Sequence, residues 1–225
     1  MDKKVIVITG VASGMGLESA KLLATKGAKL SLADVQEEAL MQVVLDVNDS
    51  GGTAIGTVVD VRERAEIKDW IKTTVDTFGK LDGSANLAGV IGKYIKKTAI
   101  QDIDDEDWDF VAGANQKGLL TQIPHFNNVE SIVNASGVAG LIGFPHAVMG
   151  LAKTAAKELG PRQIRCNAFC PGPVETPMFR ASDDIRGKEM DLTHIALGRK
   201  GQPKEVANLI EWLLSDGSSL ITGTV

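Results

Sequence analysis

The chain alternates short runs of apolar residues with longer segments in which apolar residues recur at the spacing of a helix. The short runs predict strands and the longer segments predict the helices between them. The predicted strands are Val5–Ile8, Leu30–Ala33, Thr53–Val59, Gly83–Leu87, Ser131–Ala135 and Ile164–Phe169. The predicted helices are Ser13–Lys26, Glu37–Val47, Glu63–Phe78, Asp104–Leu120, His146–Leu159 and Pro203–Leu214.

Strands that alternate with helices in this way are typical of βαβ units. Right-handed crossovers arrange such units into a doubly wound parallel sheet, which binds its ligand at the carboxyl ends of the strands. At 225 residues the chain has the size of one domain. We therefore predict an α/β, Rossmann-like fold with a single domain over residues 1–225. Residues 177–199 lack strong periodicity and are expected to form a mobile lid over the substrate.

Composition bears on the partners, the location and the metal content that we expect for this protein. The net charge is −5, aromatic residues make up only 4% of the chain, and no basic block is present, so we expect no nucleic-acid partner. Apolar runs end well before the ~18–20 residues of a membrane helix, and the amino terminus is too short for a signal peptide. We expect no membrane partner and a cytoplasmic location. The scattered cysteines and histidines predict no metal site: Cys166, Cys170, His125, His146 and His194.

The first predicted strand runs into a glycine-rich turn, with Gly10, Gly14 and Gly16, and then into a helix. Glycines there let a pyrophosphate approach the helix N-terminus, where unpaired N–H groups favour negative charge. The second strand ends in Asp34, whose carboxylate can accept from a ribose 2′-hydroxyl. Because neither Met15 nor Val35 is basic, a 2′-phosphate would meet an unpaired carboxylate, which favours NAD over NADP. An ordinary surface aspartate after a strand is the alternative.

Further motifs resemble those of the short-chain dehydrogenases/reductases, in that family's order. They are Thr9-Gly10-x3-Gly14-x-Gly16, Asp60-Val61, Asn86-Leu87-Ala88-Gly89, Asn115 in its helix, Pro171 to Thr176, and Ile221-Thr222-Gly223, which matches the start of the family's last strand. Several stretches are also similar to members from fungal secondary-metabolite pathways. The resemblance implies a homodimer or homotetramer packed through the helices near 104–120 and 146–159. It implies these cofactor-binding residues: Gly10, Ser13, Gly14, Met15, Gly16, Asp34, Asp60, Val61, Asn86, Ala88, Gly89, Pro171, Gly172, Val174 and Thr176.

The resemblance fails at the catalytic residues. Family members use a Ser, a Tyr and a Lys, because a phenol that titrates near 10 needs a nearby cation to work around neutrality. The chain has one tyrosine, Tyr94, and it does not begin a Tyr-x-x-x-Lys motif. The family's serine aligns with Gly137, one residue after Ser136. We therefore name Ser136 and Asn115 as the candidate catalytic residues.

Compared with the family pattern, residues are missing at two places. About eight, close to two helical turns, are absent between Pro145 and His146, and about four, close to one turn, are absent near Leu120–Gln122. The chain also stops at Val225, before the family's final strand. Either these residues were lost in a diverged protein, or the active protein contains residues that this sequence omits. An intact mass well above 23.8 kDa would indicate the second explanation.

Three hypotheses on function follow. The first is an NAD(H)-dependent oxidoreductase that acts on a hydroxyl or ketone of a small, fairly apolar molecule. The second is a biosynthetic enzyme of the same fold with non-redox chemistry, such as an isomerase or cyclase, since the Tyr and Lys pair is absent. The third is a non-catalytic NAD-binding protein. Absorbance at 340 nm separates the first from the other two.

Overall fold

The computed structural model describes residues 1–93, 102–122, 129–136 and 144–225. Parallel strands form one six-stranded sheet in the order β3-β2-β1-β4-β5-β6. The strands are β1 (Val5–Thr9), β2 (Lys29–Asp34), β3 (Thr53–Val58), β4 (Gly83–Asn86), β5 (Ser131–Ala135) and β6 (Arg165–Phe169). Each lies within one residue of the predicted bounds. The order reverses between β1 and β4, which places the ligand crevice of such a sheet beside those two strands.

The helices cover both faces of the sheet, so the predicted doubly wound fold is confirmed. They are α1 (Gly14–Thr25), α2 (Glu37–Asp49), α3 (Arg64–Phe78), α4 (Asp105–Ala112), α5 (Gly118–Gln122), α6 (Phe144–Leu159), α7 (Pro177–Arg186) and α8 (Pro203–Leu214). Among the described residues, no helix is long and apolar enough to cross a membrane.

Alternating residues of β1 enter two different hydrophobic clusters, because successive side chains of a strand point to opposite faces. Ile6 and Ile8 pack with residues of α1 and α8 on one face. Val5 and Val7 pack on the other face with Trp70 of α3. The Trp70 indole N–H donates to Ser31 Oγ at 2.8 Å. Both faces of the central strand are therefore buried, as its continuous apolar run predicts.

The structure corrects three expectations of the sequence. The lid segment begins with a helix, α7, where no helix was predicted. The helix predicted at Asp104–Leu120 continues to Gln122 and contains a π-helical segment, Gly113–Lys117, between α4 and α5. Residues 221–223 form no strand, although the Gly223 N–H donates to the Cys166 carbonyl at 2.9 Å and so holds this segment along β6.

Helix α6 begins two residues earlier than predicted. It starts at Phe144 and runs without a break through Pro145 and His146, the point at which the family pattern has additional residues. Proline is tolerated in the first turn of a helix, because an N–H there has no intrahelical partner.

Candidate active site

The glycine-rich turn packs directly against the segment after β4. Gly10 has a φ of +74°, and a Cβ there would stand 2.7 Å from the Ala88 nitrogen. A Cβ on Gly16 would overlap the Gly10 carbonyl oxygen. Side chains are therefore excluded at both positions, so the turn packs backbone against backbone in front of α1.

The same turn meets the loop after β6. Gly14 has a φ of +57°, and a Cβ on it would lie 3.1 Å from Thr176 Cγ2. Thr176 Oγ1 accepts from the Phe179 N–H at 3.1 Å and so caps α7. Ser13 precedes α1 with an extended backbone, and its side chain makes no capping hydrogen bond. Two segments that the sequence assigned to cofactor binding thus line one crevice.

Asp34 lies at the end of β2 and faces this turn. Its Oδ2 accepts from the Ala12 N–H at 3.0 Å, and its Oδ1 accepts from the Gln36 N–H at 3.0 Å. A carboxylate has about four lone-pair sites, so two backbone donors leave capacity for ligand hydroxyls. The structure therefore brings Asp34 and the glycine-rich turn together, as the sequence predicts for the end of a neighbouring parallel strand.

Asp60 and Val61 follow β3. The Asp60 carboxylate accepts from Arg62 Nε at 2.9 Å and Nη2 at 2.5 Å, and this hydrogen bonding lowers the pKa of Asp60. The Arg62 guanidinium also stacks 5.4 Å from the centre of the Phe110 ring. Val61 is buried, and a Cβ on Gly118 would lie 3.0 Å from its Cγ2. Because the Asp60 carboxylate is paired with Arg62, the segment after β3 can border a ligand through its backbone atoms and the Val61 side chain.

The end of β4 is fixed by buried hydrogen bonds. Thr9 Oγ1 accepts from the N–H groups of Leu87 and Ala88 at 3.1 and 3.2 Å. Asn86 Nδ2 donates to Asn134 Oδ1 at 2.7 Å, which joins β4 to β5. Asn86 is buried. The Asn86 amide therefore holds the end of β4 against β5 beside the crevice and is not itself exposed there.

Asn115 lies in the π-helical segment and holds the loop after β4. Its Oδ1 accepts from the Val90 N–H at 2.8 Å, and its Nδ2 donates to the Val90 carbonyl at 3.0 Å. A Cβ on Gly89 would stand 3.2 Å from the same Oδ1. Single π turns inside helices are frequent at functional sites. Here the side chain fixes Gly89 and Val90 beside the crevice.

Asp107, which sequence reasoning missed, holds the next part of this loop. The carboxylate is buried and accepts from the Lys93 N–H with both oxygens, at 2.9 and 3.1 Å. A Cβ on Gly92 would stand 2.5 Å from Oδ2, so a larger residue there would have to displace the carboxylate. The spacing of Gly92 and Asp107 along the chain gives no signal of this contact, because an acidic residue in a first helical turn is usually solvated.

Ser136 directly follows β5. Its N–H donates to the Phe169 carbonyl at 2.9 Å. Its Oγ is buried and has no hydrogen-bond partner within the described residues. Gly137, Tyr94 and the lysines that follow Tyr94 lie outside these residues. Ser136 is therefore the hydroxyl that the structure describes at the end of β5.

The loop after β6 is tied to the start of α8. Val174 pairs with Gly201 as an isolated parallel bridge, next to the predicted cofactor residues Pro171 and Gly172. Lys200 Nζ lies 3.0 Å from Glu175 Oε2. The pKa of Glu175 is lowered, first by the Arg180 hydrogen bond and then by Lys200. This end of the predicted lid is thus anchored by ion pairs.

No cluster of metal-ligating side chains occurs in the parts of the chain that the structure describes. Burial raises the pKa of the Cys166 thiol to about 11, so this thiol is neutral at physiological pH. The glycine turn, its open helix N-terminus and Asp34 instead form a donor and acceptor set that fits a dinucleotide: N–H groups for a pyrophosphate and a carboxylate for ribose hydroxyls.

Comparisons with known proteins agree with this geometry. The family model described as Enoyl-(Acyl carrier protein) reductase matches residues 10–225. The short-chain dehydrogenase/reductase aba4 of Botryotinia fuckeliana (strain B05.10) is 46% identical over 239 positions, which cover 98% of this chain and 93% of that protein. Because 239 positions exceed the length of this chain, the relative contains residues that this chain lacks.

Solved structures match along almost the whole chain. A levodione reductase superposes with a TM-score of 0.93 at 30% identity and covers 100% of this chain and 95% of its own. An actinorhodin polyketide ketoreductase with NADPH gives a TM-score of 0.90 at 27% identity, with 100% and 96% covered. An NAD+-bound xylitol dehydrogenase gives 0.91 at 27% identity, with 99% and 96% covered. The similar structures thus include one with each nicotinamide cofactor.

Proposed function

Because the chain belongs to the short-chain dehydrogenase/reductase family of oxidoreductases, we propose that it transfers hydride between NAD(H) and a hydroxyl or ketone of a small, fairly apolar molecule. The observation that carries this proposal is the Asp34 carboxylate beside the glycine-rich turn, held by Ala12 and Gln36. In this position a carboxylate can accept both hydroxyls of an adenosine ribose, whereas it repels a 2′-phosphate. The lack of a basic residue at Met15 and Val35 further supports NAD.

The residues of the chain have distinct roles in this proposal. The N–H groups at the start of α1 bind the pyrophosphate. The loop from Pro171 to Thr176 borders the nicotinamide, which supplies or accepts the hydride when the cofactor is bound. Ser136 Oγ donates a hydrogen bond to the substrate oxygen, which gains a proton as its carbon gains the hydride. Asn115 keeps the loop after β4 in place. Ser136 is the catalytic residue of this proposal, and Asn115, which acts through the loop, is a positioning residue.

The sequence lacks a Tyr-x-x-x-Lys pair, so we expect proton transfer to limit turnover. In ketone reduction the proton then comes from solvent, and Ser136 orients the substrate oxygen rather than relaying the proton, because its Oγ is buried and has no hydrogen-bond partner among the described residues. A solvent deuterium isotope effect on the steady-state rate would support rate-limiting proton transfer. Ser136→Ala should reduce kcat far more than it changes the Kd of NADH. Ser13→Ala, on the cofactor side, is the control for this comparison.

The test of the proposed function combines binding with turnover. Fluorescence titration of the full chain with NADH measures binding, and absorbance at 340 nm with a panel of cyclic ketones and alcohols measures turnover. We expect binding and stoichiometric oxidation of NADH with one class of ketone. Product formation without a change at 340 nm would instead indicate non-redox chemistry, and binding without any turnover would indicate a non-catalytic NAD-binding protein.

The proposal includes a homodimer or homotetramer. Three large apolar side chains on the helical run from α4 to α5 are exposed: Trp108, Phe110 and Leu120. Single exposed apolar side chains are common on protein surfaces, so the proposal of an oligomer rests on the family resemblance, and these side chains are its candidate contacts. Light scattering should give a mass of two or four chains for the native protein. Trp108→Lys should lower this mass toward that of one chain. Trp212→Lys, on α8, is the control variant and should leave the mass unchanged.

The cellular role extends the same proposal. We propose a cytoplasmic location. We also propose a role in a fungal secondary-metabolite pathway, which the similarity to a fungal relative supports. Residues 177–199 cover the substrate as a lid, with α7 as the part that packs on the domain. Limited proteolysis should cut within 188–199 in the free protein and more slowly when NADH is bound.

A further inference from the structure

Helix α7 is attached to the domain through a partly charged face. The residues at the i, i+3, i+4 and i+7 positions of this face are Phe179, Ser182, Asp183 and Arg186. The inward face of a surface helix is usually apolar, whereas this one holds one aromatic ring, one hydroxyl and two charges. No helix or strand of the described ranges packs extensively against α7. The position of α7 therefore depends on the contacts of this face.

Lys200 meets this face from a distant part of the chain. Its Nζ lies 4.7 Å from the centre of the Phe179 ring, 3.0 Å from Glu175 Oε2 and 3.9 Å from Asp183 Oδ2. The second cation near the ring, the Arg186 guanidinium at 5.7 Å, belongs to α7 itself and pairs with Asp183. Lys200 therefore joins α7 to the loop after β6 through one ring and two carboxylates.

The contacts of Lys200 are partly shielded from solvent. Phe179 is buried, and the side chains of Lys200 and Asp183 are 24% and 12% exposed. Ion pairs and cation–π contacts are stronger at partly desolvated positions than on an open surface. The backbone next to the lysine is also held, because the Gly201 N–H donates to the Pro173 carbonyl at 2.8 Å. Lys200 thus reaches α7 from an anchored position.

We propose that Lys200 is a positioning residue that holds α7, the first part of the lid, against the loop after β6. The role in catalysis rests on the proposed function, in which this loop borders the nicotinamide and the lid covers the substrate. Lys200 acts through α7 and the loop and contacts neither cofactor nor substrate. Loss of its charge should therefore weaken productive substrate binding and leave the cofactor contacts of Asp34 and α1 intact.

Amide hydrogen exchange of the full chain, without cofactor, tests the attachment of α7. Lys200→Met keeps a long apolar side chain but removes the charge, so the amides of α7 should exchange about three- to thirtyfold faster, and those of β1 should not change. Lys200→Arg keeps a cation and should keep near-native exchange. Lys204→Met, at an exposed lysine in the first turn of α8, is the matched control. Native exchange of α7 in Lys200→Met, or equally faster exchange of the whole sheet, would overturn the proposal.

Salt provides a second measurement, which stands even if Lys200→Met does not fold. Dissolved ions screen partly exposed ion pairs, so raising NaCl from about 0.05 M to about 0.5 M should speed the exchange of α7 in the native protein. The same change of salt should have a smaller effect in Lys200→Met. Exchange of α7 that does not respond to salt in the native protein would contradict an ionic attachment.

Steady-state kinetics test the role of Lys200 in the reaction. With a ketone that the native protein reduces, Lys200→Met should raise KM by about three- to thirtyfold and change kcat and the Kd of NADH by less than about twofold. Lys200→Arg should restore KM. An unchanged KM, or an equal loss of NADH binding, would refute a positioning role. If no ketone is reduced, the proposed function fails, and the exchange measurements still decide whether Lys200 holds α7.

Discussion

Asp34→Asn should change the cofactor preference of this protein. The carboxylate is held by two backbone donors at 3.0 Å each, so its position is fixed before a ligand arrives. A hydrogen bond from a ribose hydroxyl to a charged acceptor contributes about 1.5–3 kcal/mol, against about 0.5–1.5 kcal/mol for a neutral acceptor. Removing the charge should therefore weaken NADH binding by roughly five- to tenfold.

The effect on NADPH has the opposite sign. A unit negative charge about 4 Å from the carboxylate is repelled by about 1 kcal/mol in water and by about 4 kcal/mol at an effective dielectric constant of 20. The native protein should therefore bind NADH roughly five- to a thousandfold more tightly than NADPH, and Asp34→Asn should remove most of this difference.

Isothermal titration of both proteins with NADH and NADPH, at fixed salt, measures the four dissociation constants. Fixed salt matters because screening weakens the repulsion. Glu37→Gln, at the nearby start of α2, is a control that removes a charge without touching the carboxylate. Equal preference in the native protein, or an unchanged ratio in Asp34→Asn, would refute the assignment of Asp34 to the ribose.

Three further predictions concern the walls of the crevice. Gly16→Ala should unfold the turn locally and abolish NADH binding in a fluorescence titration, because its Cβ would overlap a backbone carbonyl. Asn115→Ala removes two hydrogen bonds to Val90 and should lower the free energy of unfolding by about 1–3 kcal/mol in urea titrations. Asp60→Asn should reduce stability more at pH 7 than at pH 3. Because Arg62 lowers the pKa of Asp60, that contribution is present above the unfolded pKa and is lost as the pH falls through the folded pKa.

Each of these predictions has a result that contradicts it. Gly150→Ala in α6, where a Cβ would meet nothing within 4 Å, is the control for Gly16→Ala, and equal NADH binding by both variants would exclude a tight turn. An Asn115→Ala variant of native stability would show that the loop after β4 is held in another way. An equal loss for Asp60→Asn at both pH values would point to packing rather than charge.

The sheet and the position of Asp34 beside the glycine-rich turn were predictable because local patterns determine them. Runs such as Val5–Ile8 are buried on both faces, and continuous apolar runs that alternate with helices are typical of parallel strands. The carboxyl ends of adjacent parallel strands meet at one edge, so Asp34 had to lie beside the turn after β1 once β1 and β2 paired.

The remaining parts depend on tertiary contacts that the sequence does not display. Helix α7 was missed because half of its residues are polar or charged, although its Thr176 cap and Pro177 at the first position were visible signals. The π-helical segment Gly113–Lys117 was missed because nothing in the sequence interrupts the helical pattern there. The burial of Asp107 depends on its contacts with Gly92 and Lys93, which precede it by about four helical turns of sequence and show no local pattern with it.

The most direct test is a crystal structure of the full chain with NADH. We expect the pyrophosphate at the N–H groups of the first turn of α1, and the adenosine ribose hydroxyls within hydrogen-bond distance of the Asp34 carboxylate. A dinucleotide bound elsewhere, or a crevice between β1 and β4 that stays empty at saturating NADH, would contradict the proposed function.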